Sequence, residues 1–133
     1  VPPALARHHA QTRAIFALVH ANNPRAAGPL LHALSHHLQT NLDALGLTAD
    51  DPTQHTAHLA LWDAFNRAWL ATLQRQADLS PAPLSRAALV RLGDELVRLC
   101  DALAPLGLVD YQMGVAEDEI VECECPAPRQ GAR

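Results

Sequence analysis

The chain has 133 residues, the size of one domain, and 49% of them are hydrophobic, which is enough for a core. The net charge is −4 and the arginines are scattered, without any lysine, which argues against the basic surface that nucleic-acid binding needs. Polar residues interrupt each apolar run, so no membrane span is expected. Leucine and alanine dominate and β-branched residues never alternate, which predicts an all-α fold.

The first half of the chain contains two predicted helices. The first covers residues 4–21 and ends before Pro24, because the position preceding a proline disfavours α geometry. The second covers residues 29–45, since Pro29 is tolerated at a first helical position. Leucines spaced three and four apart give the second helix an apolar stripe, made of Leu31, Leu34, Leu38, Leu42 and Leu45. Gly46 followed by Leu47 predicts a left-handed Schellman ending, and Gly107 followed by Leu108 repeats this pattern later in the chain.

Two longer helices follow. Asp51, Pro52 and Gln54 have the spacing of a capping box, which predicts a third helix from there to about residue 77. The proline-dense segment 80–85 links it to a fourth helix over residues 84–103. A leucine stripe gives the fourth helix its inner face, and the charged residues are assigned to the outer face: Arg91, Asp94, Glu95 and Arg98.

A short fifth helix is predicted over residues 110–122, with Asp110 as its N-cap. Amphipathic helices joined by short connections favour antiparallel neighbours. The sequence therefore predicts a four-helix antiparallel bundle with a short fifth C-terminal helix, forming one domain over residues 1–122. Residues 123–133 have no apolar pattern and are expected to be a disordered tail.

All eight histidines precede residue 59, and two pairs have the spacing of metal ligands. His32 and His36 are four apart and share one helix face, while His55 and His58 are three apart. A structural zinc site needs four ligands and a catalytic site three plus water, but the local sequence supplies two at a time. A solvated helix face is therefore the first interpretation, and no cofactor is expected. A metal- or small-ligand-binding bundle that uses these four histidines is the alternative.

The three cysteines do not make a disulfide framework, which favours an intracellular, reducing compartment, either cytoplasm or nucleus. Cys100 lies on the leucine stripe of the fourth helix and is expected in the core. Cys123 and Cys125 are too few, without a second cysteine pair, to predict a metal site. The sequence has no Gly-x-Ser-x-Gly motif and no glycine-rich phosphate loop, so we do not predict an enzyme.

The aromatic residues of the third helix have two interpretations. Trp62, Phe65 and Trp69 form a seam that is typical of a core, and tryptophans at such spacing also serve as partner anchors. Asn66 lies on or beside this seam, and a buried amide must find hydrogen-bond partners.

The function predicted from these patterns is a non-catalytic interaction domain, a scaffold, adaptor or dimerisation unit of a larger intracellular protein. Its partner would be another protein or a second copy of the chain, with no nucleic acid and no membrane involved. An apolar strip would provide affinity and an acidic rim would provide orientation. The residues assigned to partner binding are Trp62, Trp69, Tyr111 and Met113 for apolar contact, with Glu117, Asp118 and Glu119 for steering.

Overall fold

The described part of the chain is built from four α-helices. A computed structural model describes residues 2–48, 51–109, 114–116 and 120. The helices are α1 (Pro3–His20), α2 (Pro24–Thr40), α3 (His55–Asp78) and α4 (Arg86–Leu103). Short 3-10 turns precede α3 (Pro52–Gln54) and follow α4 (Ala104–Leu106). The predicted all-α class is confirmed, and the described residues contain no strand beyond one isolated bridge between Val109 and Val115.

The bounds of α2 differ most from the sequence expectation. The helix begins at Pro24, five residues early, because Asn23 caps it: the Asn23 side chain accepts a 3.3 Å hydrogen bond from the Ala26 N–H. Pro24 takes the first helical position, so Pro29 lies inside the helix and the predicted start at Pro29 is wrong. The helix also ends at Thr40, and residues 41–48 form turns.

The Gly-Leu endings are confirmed at both places where the sequence repeats them. Gly46 has φ +75°, and the Leu47 N–H donates to the Leu42 carbonyl at 2.9 Å, which is the Schellman bond. After α4, Gly107 has φ +72° and the Leu108 N–H donates to the Leu103 carbonyl at 3.3 Å. One backbone device therefore ends both segments.

Side-chain caps fix the starts of α3 and α4. The Asp51 carboxylate accepts hydrogen bonds from the Thr53 hydroxyl at 2.8 Å and the Thr53 N–H at 3.0 Å, and these bonds lower the pKa of Asp51. The Ser85 hydroxyl accepts the Ala88 N–H at 3.1 Å, one turn into α4. Helix α4 starts two residues after the predicted position, whereas α3 starts at His55, because the predicted first turn is the 3-10 turn Pro52–Gln54.

The central helix is α2, which packs against the other three. It is antiparallel to α1, because His37 Nε2 near its end donates to the Ala4 carbonyl at 2.8 Å near the start of α1. It is parallel to α4, because Leu84 lies against Gly28 while Glu95 lies beside His36. Consecutive helices thus alternate in direction, as the short connections predict, and α2 and α4, which are not consecutive, meet in parallel across the bundle.

The aromatic seam of α3 lies entirely in the core. Trp62 is 1% exposed, and Phe65 and Trp69 are 0% exposed. Trp62 and Phe65 pack edge to face with their ring centroids 6.0 Å apart. The Trp69 indole N–H donates to the Ser35 hydroxyl of α2 at 3.0 Å. The structure therefore supports the core interpretation of this seam and leaves Trp62 and Trp69 without surface for a partner.

A segment after α4 returns to α3 and is held there by Asn66. The Asn66 side-chain amide donates to the Gly114 carbonyl at 2.9 Å, and its oxygen accepts the Ala116 N–H at 3.0 Å. Val115 is fully buried. A Cβ at Gly114 would lie 2.2 Å from the Leu108 carbonyl oxygen, so this close backbone approach requires glycine.

This segment corrects the predicted fifth helix. Residues 114–116 form a bend and a bridge, so a continuous helix over residues 110–122 is wrong, although Ile120 is helical and fully buried. The rest of that helix and the predicted tail at 123–133 lie outside the described residues. In the part of the chain that is described, no helix is long and apolar enough to cross a membrane.

Candidate functional site

Among the described α-helices, α2 is the only one that α4 approaches closely. Helix α4 therefore has an inner face toward α2 and an outer face directed away from it. The inner face carries four buried leucines together with a carboxylate, Glu95, which is only 1% exposed. The assignment of Glu95 to the outer face is therefore wrong. Glu95 lies three residues after Leu92 and four before Leu99, so it shares their side of the helix.

Three polar side chains surround this buried carboxylate, and we call them with it the Glu95 cluster: Glu95, Arg98, His32 and His36. Glu95 Oε1 accepts a 3.0 Å hydrogen bond from Arg98 and lies 3.5 Å from His32 Nε2. Glu95 Oε2 lies 3.7 Å from His36 Nδ1 and has no hydrogen-bond partner in the described structure. Because the two histidines come from α2, the cluster fixes how α4 is rotated on α2.

The histidines do not assemble as the metal hypothesis requires. His32 and His36 turn toward Glu95, whereas His55 is exposed and His58 is buried near Gly46. Within the described residues, no three His, Cys, Asp or Glu side chains are placed to hold a metal ion. The arrangement is a polar cluster in which one guanidinium pairs with the carboxylate and two imidazoles face it.

An apolar cavity of about 240 Å³ opens beside this cluster, between α2 and the start of α4. Leu84 and Leu92 form part of its wall, and His32 and Arg91 are its polar borders. On one side the cavity is closed by the Leu84 side chain, which packs directly on Gly28. A Cβ at Gly28 would lie only 2.8 Å from Leu84. A cavity of this size and lining fits one apolar side chain or a small ligand.

The outer face of α4 carries exposed apolar side chains. Among the described residues, every large hydrophobic side chain that is exposed lies on α4 or the turn after it: Val90 at 54%, Val97 at 51% and Leu106 at 42%. At about 100° per residue, five residues fall within an arc of about 80°, whose centre lies about 130° around the helix from that of the buried leucines. We define these as the outer face: Arg86, Val90, Gly93, Val97 and Asp101.

The residues that the sequence assigns to partner binding do not include the outer face of α4. Of the residues assigned to partner binding, Trp62 and Trp69 are buried, and the others lie outside the described residues: Tyr111, Met113, Glu117, Asp118 and Glu119. The outer face of α4 was missed, although the sequence contains its signal. Val90 and Val97 are seven residues apart and lie away from the leucine stripe of the same helix.

Comparison with known proteins gives no relative: no protein-family model matches the chain, and neither a curated protein nor a solved structure does.

Proposed function

We propose that this domain is a non-catalytic protein–protein interaction module that presents the outer face of α4 to a partner helix. One observation supports this proposal: within the described residues, every large hydrophobic side chain that is exposed lies on α4 or on the turn after it. Covering the exposed half of each valine would contribute roughly 1 kcal/mol. A single helix pair is a small interface, so we expect weak and reversible association.

The neighbouring structure supports this role, because α4 is placed by its inner face alone. Buried leucines and the Glu95 cluster hold the inner face on α2, which leaves the outer face directed away from the core. The intracellular setting predicted from the cysteines remains part of this proposal, and Cys100 is buried as expected.

A photo-crosslinking amino acid at Val97 tests the proposal, and the same amino acid at Ala60 is the matched control. Both positions are exposed, and Ala60 lies on α3 away from the outer face. In cells that express the protein, we expect discrete crosslinked species from position 97 that disappear when Val90→Ser is added. Equal patterns at both positions, or no discrete species from position 97, would contradict the proposal.

The competing function is a small-ligand-binding bundle, and it is supported by the cavity between Leu84, Leu92 and His32. A ligand that fills this cavity would stabilise the folded protein in proportion to its occupancy. A thermal-shift screen of small carboxylate and apolar compounds, repeated on Ala88→Leu to fill the cavity, separates the two functions. Stabilisation that the substitution abolishes would favour the ligand function.

A further inference from the structure

We propose that the helix which docks on the outer face of α4 is α4 of a second copy of this chain, running antiparallel about a two-fold axis. The axis crosses the helix between Gly93 and Asp94. This inference rests on the proposed function and names the partner of the same surface.

The positions of the outer-face residues are symmetric about that point. Val90 and Val97 are equally distant from it in sequence, and so are Arg86 and Asp101. In an antiparallel pair, Val90 therefore faces Val97 of the second copy, and Arg86 faces Asp101 of the second copy. Because a two-fold interface is isologous, each of these contacts occurs twice.

Charge selects the antiparallel arrangement over the parallel one. A parallel pair in the same register would place Arg86 against Arg86 and Asp101 against Asp101, and both contacts would repel. The antiparallel pair converts these four charges into two Arg–Asp contacts. All four side chains are exposed in the single chain, so they can pair across the interface without first leaving another contact inside the core.

The centre of the face allows the two helices to approach closely. Gly93 lies beside the axis and faces Asp94 of the second copy, so its lack of a side chain leaves room for that carboxylate. Asp94 lies at the edge of the face beside the axis, where it comes near Asp94 of the second copy. This like-charge contact weakens the pair, in agreement with the reversible association expected of a small interface.

Sedimentation equilibrium of the full chain, from about 1 µM to about 1 mM protein, tests the proposal. The variants are Arg86→Asp, Asp101→Arg and the double exchange Arg86→Asp/Asp101→Arg. Each single change puts like charges at both Arg–Asp contacts, so we expect at least a fivefold weaker dimer. The double exchange should restore the wild-type dissociation constant to within about twofold. An equimolar mixture of the two single variants should form a heterodimer.

Two results would overturn this inference: a monomer over the whole concentration range, or single variants that dimerise as the wild type does. Unchanged circular dichroism melting of all variants is the control for folding. A monomer that still gives crosslinks from position 97 to a different protein would reject self-association and keep the proposed function. A monomer that also gives no discrete crosslinks from position 97 would reject both self-association and the proposed function.

Discussion

The two sides of α2 differ in how they bury polar atoms. Toward α1 and α3, the buried hydroxyl groups of Thr12, Ser35 and Thr72 each bond a carbonyl one turn earlier, and Ser35 also accepts the Trp69 indole. Toward α4, the same helix meets a buried carboxylate that Arg98 and two histidines surround. The first side fills its volume with aromatic rings, whereas the second combines buried leucines with a buried carboxylate that sets the position of α4.

The two sides of α2 therefore differ in whether they mainly contribute free energy of unfolding or mainly fix the position of a helix. Dense apolar packing contributes most of the free energy of unfolding, because it scales with the buried area. A buried ion cluster contributes little net free energy, since the cost of removing charges from water offsets their attraction. We infer that the α1–α2–α3 unit carries most of the stability and that the Glu95 cluster defines where α4, with its outer face, lies.

The largest expected effect tests the first side. Trp69→Ala removes a fully buried ring and its bond to Ser35, and should lower the free energy of unfolding by about 3–5 kcal/mol in urea denaturation. Val97→Ala on the outer face is the control and should change it by less than about 0.5 kcal/mol. A loss below about 1 kcal/mol for Trp69→Ala would contradict the assignment of stability to this unit.

The sequence predicts most helix bounds because caps and stripes are local signals. Gly46 and Gly107 end their segments as predicted, and Asp51 caps through Thr53 a 3-10 turn that precedes α3. The start of α2 was misplaced because both Pro24 and Pro29 suit a first turn, and the Asn23 cap decides between them. Local pattern alone does not rank two such starts.

The candidate site was less predictable because its contacts are long-range. Glu95 finds its histidine partners on α2, and Asn66 finds Gly114 and Ala116 on a segment that returns to α3. The sequence predicts only that a buried amide needs partners, not where they come from. The spacing of Glu95 from Leu92 and Leu99 indicates that it points inward. Its charge nevertheless favoured assignment to the outer face.

An intermediate, pH-dependent effect on the free energy of unfolding is expected from His8, which lies on α1 in the α1–α2–α3 unit. His8 is 1% exposed and both its ring nitrogens lack hydrogen-bond partners in the described structure. Burial, together with smaller contributions from the neighbouring His9 and His37, lowers the pKa of His8 to about 4. The unfolded chain therefore binds this proton more readily than the folded one between pH 6.5 and about 4.

Stability should consequently be retained above pH 6.5 and fall as the pH decreases through this window. Linkage gives a loss of about 2 kcal/mol at pH 5 and about 3 kcal/mol at pH 4 from this group. His8→Leu should remove that loss when urea denaturation is compared at pH 7.5 and pH 5. His20→Gln, which changes an exposed histidine of the same helix, should keep it. Identical pH dependence in wild type and His8→Leu would show that His8 does not control it.

The smallest effect is expected on the α4 side, where Glu95→Met replaces the buried carboxylate with an apolar side chain of similar volume. The three partners lost by this change are 39–62% exposed, so water can solvate them and no buried charge remains unpaired. The free energy of unfolding should therefore change by less than about 1 kcal/mol, or rise. Glu95→Ala, which leaves a cavity, is the comparison and should lower it by about 2 kcal/mol. If Glu95→Met were as destabilising as Trp69→Ala, charge would hold α4 as strongly as packing holds α3, and the distinction between the two sides of α2 would fail.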